Sequence, residues 1–241
     1  MDNYISQYGQ DRLLDQFLFK KKQNGIFVDI GANDGKTISN TYYFEKNLNW
    51  TGICFEPLDE AYKKLQANRS SINIHGCAFN KTCTDVFYSI SGYGEMLSGL
   101  KSQYDDRHLE RIERTIAEHG GEIKKIEVNC YDVNEILKTN SFYKIDFISL
   151  DTEGGELNIL QAIDFDSFKI TAIVVENNYN DDSIKNFMFN KGYILFDKLD
   201  SDEIFLHPAH YGHLKTIKAQ TELKLRNSLR KFRKLASKIK N

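Results

Sequence analysis

Several features are scarce or missing in this 241-residue sequence, and each absence narrows the class of protein. No apolar run approaches the length of a membrane-spanning helix, and residues 1–10 lack the apolar segment of a signal peptide. The four cysteines show no C-x-x-C spacing, which favours reduced thiols over disulfides or a zinc site. The formal net charge of −2 is typical of an ordinary soluble protein, and a cytoplasmic location is expected.

Phosphate-binding glycine motifs are missing as well. The stretch Ile26 to Gly35 has the pattern of a buried parallel strand that runs into a turn, but its glycines are spaced G-x-x-x-G. A dinucleotide site needs G-x-G-x-x-G and a P-loop needs G-K-[ST], so a ligand without phosphate is favoured. Asp29 supports this choice, because it would repel a pyrophosphate, whereas the amino group and sulfonium of S-adenosylmethionine are cationic.

A second acid belongs with this loop. The apolar strand pattern from Gly52 to Phe55 ends on Glu56, about 20 residues beyond the loop, where a carboxylate can accept hydrogen bonds from ribose hydroxyls. Dinucleotide enzymes also place an acid at the end of their second strand. The spacing alone therefore does not choose the cofactor.

The order of apolar patterns predicts a doubly wound α/β fold. Its first half should contain a helix over 6–22, strands over 26–30, 52–55 and 72–75, helices over 42–48 and 58–68, and a turn at Cys77 and Ala78. The segment 81–126 fits this alternation of strands and helices poorly. Two interpretations remain open: an insertion that acts as a lid or binds the acceptor, and a helical excursion without a functional role. His108 and His119 fall on its charged helix and are expected to be solvated.

Three adjacent strands are predicted to finish with acids. These acids are Asp29, Asp151 and Glu176, after the strand patterns at 26–30, 145–150 and 172–175. Because the carboxyl ends of parallel strands meet at one edge of a sheet, the three acids are expected to share a site. Asp151 is the candidate for chemistry, while Glu153 and Glu156 either join the site or stabilise the start of the following helix.

The segment from Leu214 onward is basic. Ten Lys or Arg residues against Glu222 alone give it a charge of +9, which leaves −11 for the rest of the chain. Apolar residues recur there at helical spacing, so a basic amphipathic helix is predicted. Its apolar positions are Leu225, Leu229, Phe232, Ala236 and Ile239. Such a helix can contact a membrane surface, nucleic acid or a partner subunit in a homodimer, or dock on its own domain.

Taken together, the motifs resemble those of the FkbM-type methyltransferases, which are class I S-adenosylmethionine-dependent enzymes. The likeness runs from about Ser6 to Leu206. The matching motifs are Ser6-Gln7-x-Gly9-Gln10-Asp11, the loop from Val28 to Gly35, Ser39-Asn40-Thr41 with Glu45, Trp50-x-Gly52 leading to Glu56-Pro57, and Ser149-Leu150-Asp151-Thr152-Glu153-Gly154-x-Glu156. One departure is Glu176-Asn177-Asn178, where the family commonly has Glu-His-Asn, so no role is expected for an imidazole there.

The resemblance implies a Rossmann-like class I methyltransferase fold with a mostly parallel seven-stranded sheet and a C-terminal antiparallel strand. One domain over 1–213 would hold the 81–126 insertion, and the basic tail would cover 214–241. The resemblance also implies an S-adenosylmethionine site. Its expected residues are Asp29, Gly31, Ala32, Asn33, Gly35, Asn40, Thr41, Glu56, Pro57, Cys77, Ala78 and Asp151. The 29–35 loop would hold the methionine end, Glu56 the ribose, and Cys77 with Ala78 the adenine.

Relatives of this type mostly methylate hydroxyls of sugars or glycosylated metabolites, so O-methylation of a carbohydrate acceptor is expected. Asp151, Glu153 and Glu176 are the catalytic candidates, with Asp151 as the base. In a variant of this mechanism, Asp151 and Glu176 hold a divalent cation, Mg²⁺ or Mn²⁺, that chelates two acceptor oxygens. The alternative is an inactive binding or scaffold protein whose basic tail contacts a membrane, nucleic acid or partner.

Overall fold

Apolar runs that end in acids or glycines form the centre of a large sheet. The computed structural model describes residues 3–239, and the side chains of residues 3–229. Its strands are β1 (Ile26–Ile30), β2 (Thr51–Glu56), β3 (Ile72–His75), β4 (Cys77–Phe79), β5 (Cys83–Ile90), β6 (Gly99–Leu100), β7 (Ile123–Asp132), β8 (Lys144–Leu150), β9 (Lys169–Glu176), β10 (Ile194–Leu199) and β11 (Asp202–Leu206). Its α-helices are α1 (Gln10–Leu13), α2 (Tyr42–Leu48), α3 (Asp59–Asn68), α4 (Asp106–His119), α5 (Val133–Thr139), α6 (Glu156–Ala162), α7 (Asp182–Asn190), α8 (Pro208–Tyr211) and α9 (His213–Ile239).

The larger sheet has the strand order β3-β2-β1-β8-β9-β11-β10. Its pairs are parallel except those of β11, which runs antiparallel to both β9 and β10. The chain moves outward from β1 in one direction through β2 and β3, and in the other through β8 and β9. A crevice opens at the carboxyl ends where the order reverses. The predicted seven-stranded sheet with its C-terminal antiparallel strand is confirmed.

Side chains of β1 alternate between two core layers. Val28 and Ile30 belong to one buried cluster, whereas Phe27 belongs to the cluster on the opposite face together with Phe147 of β8. Asp29 follows the Phe27 side of the pleat and is only 5% exposed. An acid on a strand covered on both faces requires specific partners, because an unpaired buried charge is costly.

The first helix is shorter than the pattern over residues 6–22 predicts. It consists of α1 followed by a π-helical segment, Leu14–Phe19. The buried Asp11 accepts hydrogen bonds from the backbone N–H and the hydroxyl of Ser6, so the chain before α1 folds back and cannot be helical. At the other end, Lys20 has a left-handed backbone with φ 48°, which ends the helical path.

A second sheet, in the order β4-β7-β5-β6, contains most of the segment that fits the alternation poorly. Within it, β5 and β7 pair antiparallel over the length of β5. The prediction of a turn at Cys77 and Ala78 is wrong. Both residues lie in β4, where Cys77 pairs with Cys130 of β7. This pairing joins residues far apart in the chain, so no local pattern around Cys77 indicates it.

The last helix, α9, packs against the buried cluster that contains Phe27. Thr216, Ala219 and Leu223 of α9 are buried, the last two in the cluster that contains Phe27. Leu225 and Leu229 are 61% and 51% exposed, so the docked face is not the apolar face that the spacing predicts. The other predicted members of that face, Phe232, Ala236 and Ile239, lie outside the residues whose side chains are described.

Candidate active site

A cavity lies at the carboxyl ends of β1, β2, β8 and β9, with the second sheet on its other side. It measures about 1410 Å³, a volume that includes the open mouth of the cavity. The predicted residues that line it are Asp29, Gly31, Ala32, Asn33, Asn40, Glu56, Pro57, Cys77, Ala78, Asp151, Glu153 and Glu176. Gly35 and Thr41 do not line it.

The loop after β1 turns sharply between the ends of β2 and β8. Gly31 and Asn33 have left-handed φ values of 86° and 49°. The N–H groups of Gly31 and Ala32 donate to the carbonyl of Phe55 at 3.2 and 3.0 Å. On the other side, a Cβ at Gly31 would lie 1.7 Å from the carbonyl oxygen of Asp151. Only glycine fits this position, and the loop thereby fixes the distance between the three strand ends.

Asp29 is held by partners behind the cavity wall. The Thr41 hydroxyl donates to Asp29 Oδ2 at 2.5 Å, and Nη1 of Arg69 lies 3.7 Å from the same oxygen. The Arg69 side chain is fully buried and its Nε is 2.7 Å from Oε2 of Glu45. Burial raises the pKa of Asp29, whereas Arg69 and the neighbouring hydroxyls lower it. Arg69 therefore supplies the counter-charge that an acid in β1 requires.

Glu56 is fixed at the edge of the loop. Its Oε2 accepts from the N–H of Asn33 at 2.9 Å and its Oε1 from the N–H of Leu58 at 2.8 Å. Burial raises the pKa of Glu56 to about 7, although the two N–H donors oppose this rise. Each oxygen retains a further lone pair, so the carboxylate can accept hydrogen bonds from a diol.

Asn40 presents an unused acceptor beside the same loop. Its Nδ2 donates to the Ser149 hydroxyl at 3.0 Å, while its Oδ1 is buried without a partner among the described residues. Both residues line the cavity. A buried acceptor without a partner is costly, so a ligand with an N–H donor would be stabilised here.

Three acids converge at the other end of the cavity. Asp151 and Glu153 follow β8, and Glu176 is the last residue of β9. One carboxylate oxygen from each lies within 4.8 Å of the others. Glu153 has a left-handed backbone with φ 53°, an unfavourable conformation of the kind that clusters at functional sites.

The carboxyl groups of this cluster strongly affect one another. Burial is the largest cause of a raised pKa at each of the three carboxyl groups. Together with repulsion by Glu156 and Asp202, it raises the pKa of Asp151 to about 7. Together with repulsion by Asp151, it raises the pKa of Glu153 to about 9, and with repulsion by Asp151 and Glu153 it raises that of Glu176 to about 11. The side chain of Asp151 lies deep in the protein but is exposed to the cavity. The cluster titrates as one coupled group. At neutral pH it retains protons or binds a cation.

Glu156 has a different role. It accepts hydrogen bonds from the N–H of Thr152 at 3.0 Å, from the Thr152 hydroxyl at 3.0 Å and from the N–H of Gly154 at 3.1 Å. These bonds fix the loop that leads into α6. Glu156 thus stabilises the start of the helix, and Glu153 lines the cavity.

The second sheet and the segment from Gly92 to Gln103 line another side of the cavity, and α4 packs behind them. His108 is buried, with Nδ1 3.0 Å from the Tyr179 hydroxyl and Nε2 3.2 Å from the carbonyl of Leu97, so the expectation that it is solvated is wrong. Arg111 lies one turn further along and its Nη1 is 3.8 Å from Oε2 of Glu153. The lining residues on this side include Phe87, Glu95, Met96, Ser98, Leu100 and Gln103. A cation from α4 therefore reaches the acid cluster.

Several residues of the site escape sequence reasoning. Gln10 and Asp202 both line the cavity, and Gln10 Nε2 donates a hydrogen bond to Asp202 Oδ2 at 2.5 Å. The two residues lie near opposite ends of the sequence. Arg69 follows α3 as a single cation with no distinctive pattern. The buried acid in β1 signals that a counter-charge exists, but nothing in the local sequence names Arg69 as the source.

Comparisons with known proteins agree on one class of enzyme. The family model described as the methyltransferase FkbM domain matches residues 29–195. The curated methyltransferase sdnD of Sordaria araneosa is 21% identical over 212 residues, which cover 75% of this chain and 81% of that protein.

Two solved structures show a weaker similarity, each with a TM-score of 0.43 and 12% identity. The methyltransferase FkbM from Methylobacillus flagellatus KT is matched over 77% of this chain and 44% of its own. The methyltransferase domain of METTL16 is matched over 82% of this chain and 64% of its own. The chain thus spans less than two thirds of either solved chain.

Proposed function

Because the chain belongs to the FkbM methyltransferase family and is an S-adenosylmethionine-dependent methyltransferase, we propose that it methylates a hydroxyl of a sugar, glycan or glycosylated metabolite. The observation that supports this acceptor is the cluster of Asp151, Glu153 and Glu176 in the cavity. A hydroxyl is a weak nucleophile at neutral pH and needs a base or a cation that lowers its pKa. The cluster can supply either one.

The residues at the β1 loop fit the cofactor. The Oδ1 of Asn40, which has no partner among the described residues, suits the ammonium group. Asp29, Gly31 and Asn33 would hold the methionine end, Glu56 the ribose hydroxyls, and Cys77 with Ala78 the adenine. When bound, S-adenosylmethionine supplies a methyl group on a positively charged sulfur.

In the base mechanism, Asp151 takes the proton. The acceptor oxygen forms a bond to the methyl carbon as the carbon–sulfur bond breaks, and the hydroxyl proton passes to the Asp151 carboxylate. A pKa of about 7 leaves Asp151 partly ionised at neutral pH and still basic enough to accept a proton. Glu153 and Glu176 remain protonated and can donate hydrogen bonds, which orient the acceptor.

In the cation mechanism, the same three acids would lose their protons and would hold Mg²⁺ or Mn²⁺. Hard cations prefer oxygen ligands, and the three carboxylates offer them within 4.8 Å of one another. The cation would stabilise the acceptor as an alkoxide. Asp151 and Glu176 would be its main ligands, and Glu153 is a third that the structure brings alongside them.

A transfer assay tests the proposed acceptor. Labelled S-adenosylmethionine is incubated with the protein and a panel of free sugars, nucleotide sugars and glycans, and label in the acceptor is counted. Transfer to at least one hydroxyl acceptor is expected. Transfer only to amine or thiol acceptors would contradict the proposal.

The same assay with Asp151→Asn tests the role of Asp151, and turnover in EDTA separates the two mechanisms. Loss of the base should lower kcat roughly 10²–10⁴-fold, with a much smaller change in cofactor affinity measured by calorimetry. The matched control is Asp166→Asn, because Asp166 is exposed and does not line the cavity. Full activity of Asp151→Asn would remove Asp151 from the base role. Full turnover in EDTA would exclude the cation mechanism.

A further inference from the structure

The helix α9 has two faces, and one of them docks on the body. Thr216, Ala219 and Leu223 are buried, and the guanidinium carbon of Arg226 lies 4.4 Å from the ring centroid of Phe17. These contacts lie along one side of the helix. They fix its rotation about its own axis over this stretch, so the opposite side is held outward.

The outward face is apolar. Leu214, Ile217, Leu225 and Leu229 are 84%, 60%, 61% and 51% exposed. At 3.6 residues per turn they form a stripe about 120° wide, opposite the docked residues. The sequence repeats the same spacing at Phe232, Leu235, Ala236 and Ile239. Lys218 and Thr221 lie within the same arc, so the described apolar residues form two groups on this face, one on each side of these two polar residues. Apolar residues gathered on one exposed face indicate an interaction site rather than scattered exposed residues.

Cations lie beside and within this stripe. Lys215, Lys218 and Lys224 are exposed in the described part of α9, and the segment from Leu214 onward carries +9 in sequence. A second copy of α9 would bring an equal positive charge to the contact, and the like charges would repel. An anionic surface is complementary in charge, and lysine stems can lie along an apolar layer while their ammonium groups reach phosphate.

We infer that α9 binds the surface of a membrane that contains anionic lipid, with its apolar stripe in the boundary between headgroups and acyl chains. Basic amphipathic helices with such stripes bind in this plane. In residues 3–239, no helix is long and apolar enough to cross a membrane, so the contact is peripheral. This interaction is separate from the methyl transfer and does not depend on the acceptor.

Vesicle sedimentation of the full chain tests the inference. One vesicle type contains phosphatidylcholine alone and the other adds one quarter phosphatidylglycerol. Binding is expected to the anionic vesicles and to weaken at high salt. Ile217→Ser with Leu225→Ser should lower the partition coefficient at least about tenfold, and Lys215→Gln with Lys224→Gln roughly fivefold per lysine.

The matched control is Ile72→Ser with Ile123→Ser, which removes two apolar side chains that are 38% and 39% exposed on strands and should leave binding unchanged. Circular dichroism verifies that each variant is folded. If the variant with Ile217→Ser and Leu225→Ser does not fold, the variant with Leu214→Ser and Leu229→Ser takes its place. Equal binding to both vesicle types, or binding unaffected by the stripe variants, overturns the inference. The inference is also overturned if the stripe variants abolish a dimer or an RNA complex and no variant alters vesicle binding.

Discussion

Replacing Gly31 by alanine should disrupt the site and destabilise the fold. Gly31 has φ 86°, and its Cβ would lie 1.7 Å from the carbonyl oxygen of Asp151, where ordinary contact needs about 3.4 Å. The end of β1 or the end of β8 must therefore move by more than an ångström. That movement also strains the hydrogen bond from the N–H of Asp151 to the carbonyl of Ile30, now 3.0 Å long.

The magnitude can be divided into separate contributions. Left-handed backbone costs a non-glycine residue about 1–2 kcal/mol. Overpacking typically adds about 1–3 kcal/mol, and weakening one buried hydrogen bond adds about 1 kcal/mol. Because the shift carries Asp151 with it, turnover should fall on the order of 100-fold even where the protein remains folded.

Gly9→Ala provides the matched control. Gly9 has almost the same backbone angle, φ 88°, but nothing lies within 4 Å of its Cβ position. The difference between the two variants in free energy of unfolding by urea isolates the collision, and it should be about 2–4 kcal/mol. If Gly31→Ala costs no more than Gly9→Ala and binds S-adenosylmethionine normally by calorimetry, the close contact of β1 with β8 is wrong.

Two further predictions concern buried charges. Because burial raises the pKa of Glu56 from 4.5 to about 7, the folded chain keeps a proton that the unfolded chain releases. The free energy of unfolding should therefore fall by about 2 kcal/mol as pH rises from 5 to 8, and urea titrations of Glu56→Gln should show that this part of the slope is lost. Arg69→Met leaves Asp29 and Glu45 without their counter-charge and should cost about 3–5 kcal/mol in the same assay. The control is Arg107→Met, which removes the ion pairs of an arginine whose side chain is 53% exposed and should lower the free energy of unfolding by under about 1 kcal/mol. An equal loss of stability in both variants would contradict the pairing of Arg69 in the core.

The central strands and their acids are predictable from sequence because the pattern is local. A continuous apolar run identifies a strand buried on both faces, and the polar residue that ends it marks the edge where ligands bind. Glu56 and Asp151 satisfy both conditions, and Asp29 is the one acid within its apolar run. Each of the three lines the cavity. No pairing partner needs to be known in order to find them.

The second sheet could not be found this way. Its strands β5 and β7 are half exposed, and β4 pairs with a strand that begins more than forty residues later. Strand pairing between such distant segments depends on the rest of the fold rather than on local sequence. The same holds for His108, whose burial results from the packing of α4 against the turn around Leu97.

In the proposed base mechanism, the reaction would couple the charge of the acid cluster to the charge of the cofactor. Before transfer, the cavity would hold a sulfonium cation near an ionised Asp151. After transfer the sulfur is neutral, and in the base mechanism the acceptor proton neutralises Asp151 at the same time. The site therefore keeps a balanced charge on both sides of the step, although burial makes any unpaired charge there costly. An acidic cavity also distinguishes the cationic donor from its neutral thioether product by Coulomb attraction alone. In the proposed base mechanism, the raised pKa of Asp151 therefore complements the charge of the methyl donor. The cationic donor would favour the ionised form of Asp151, and the neutral product would favour its protonated form.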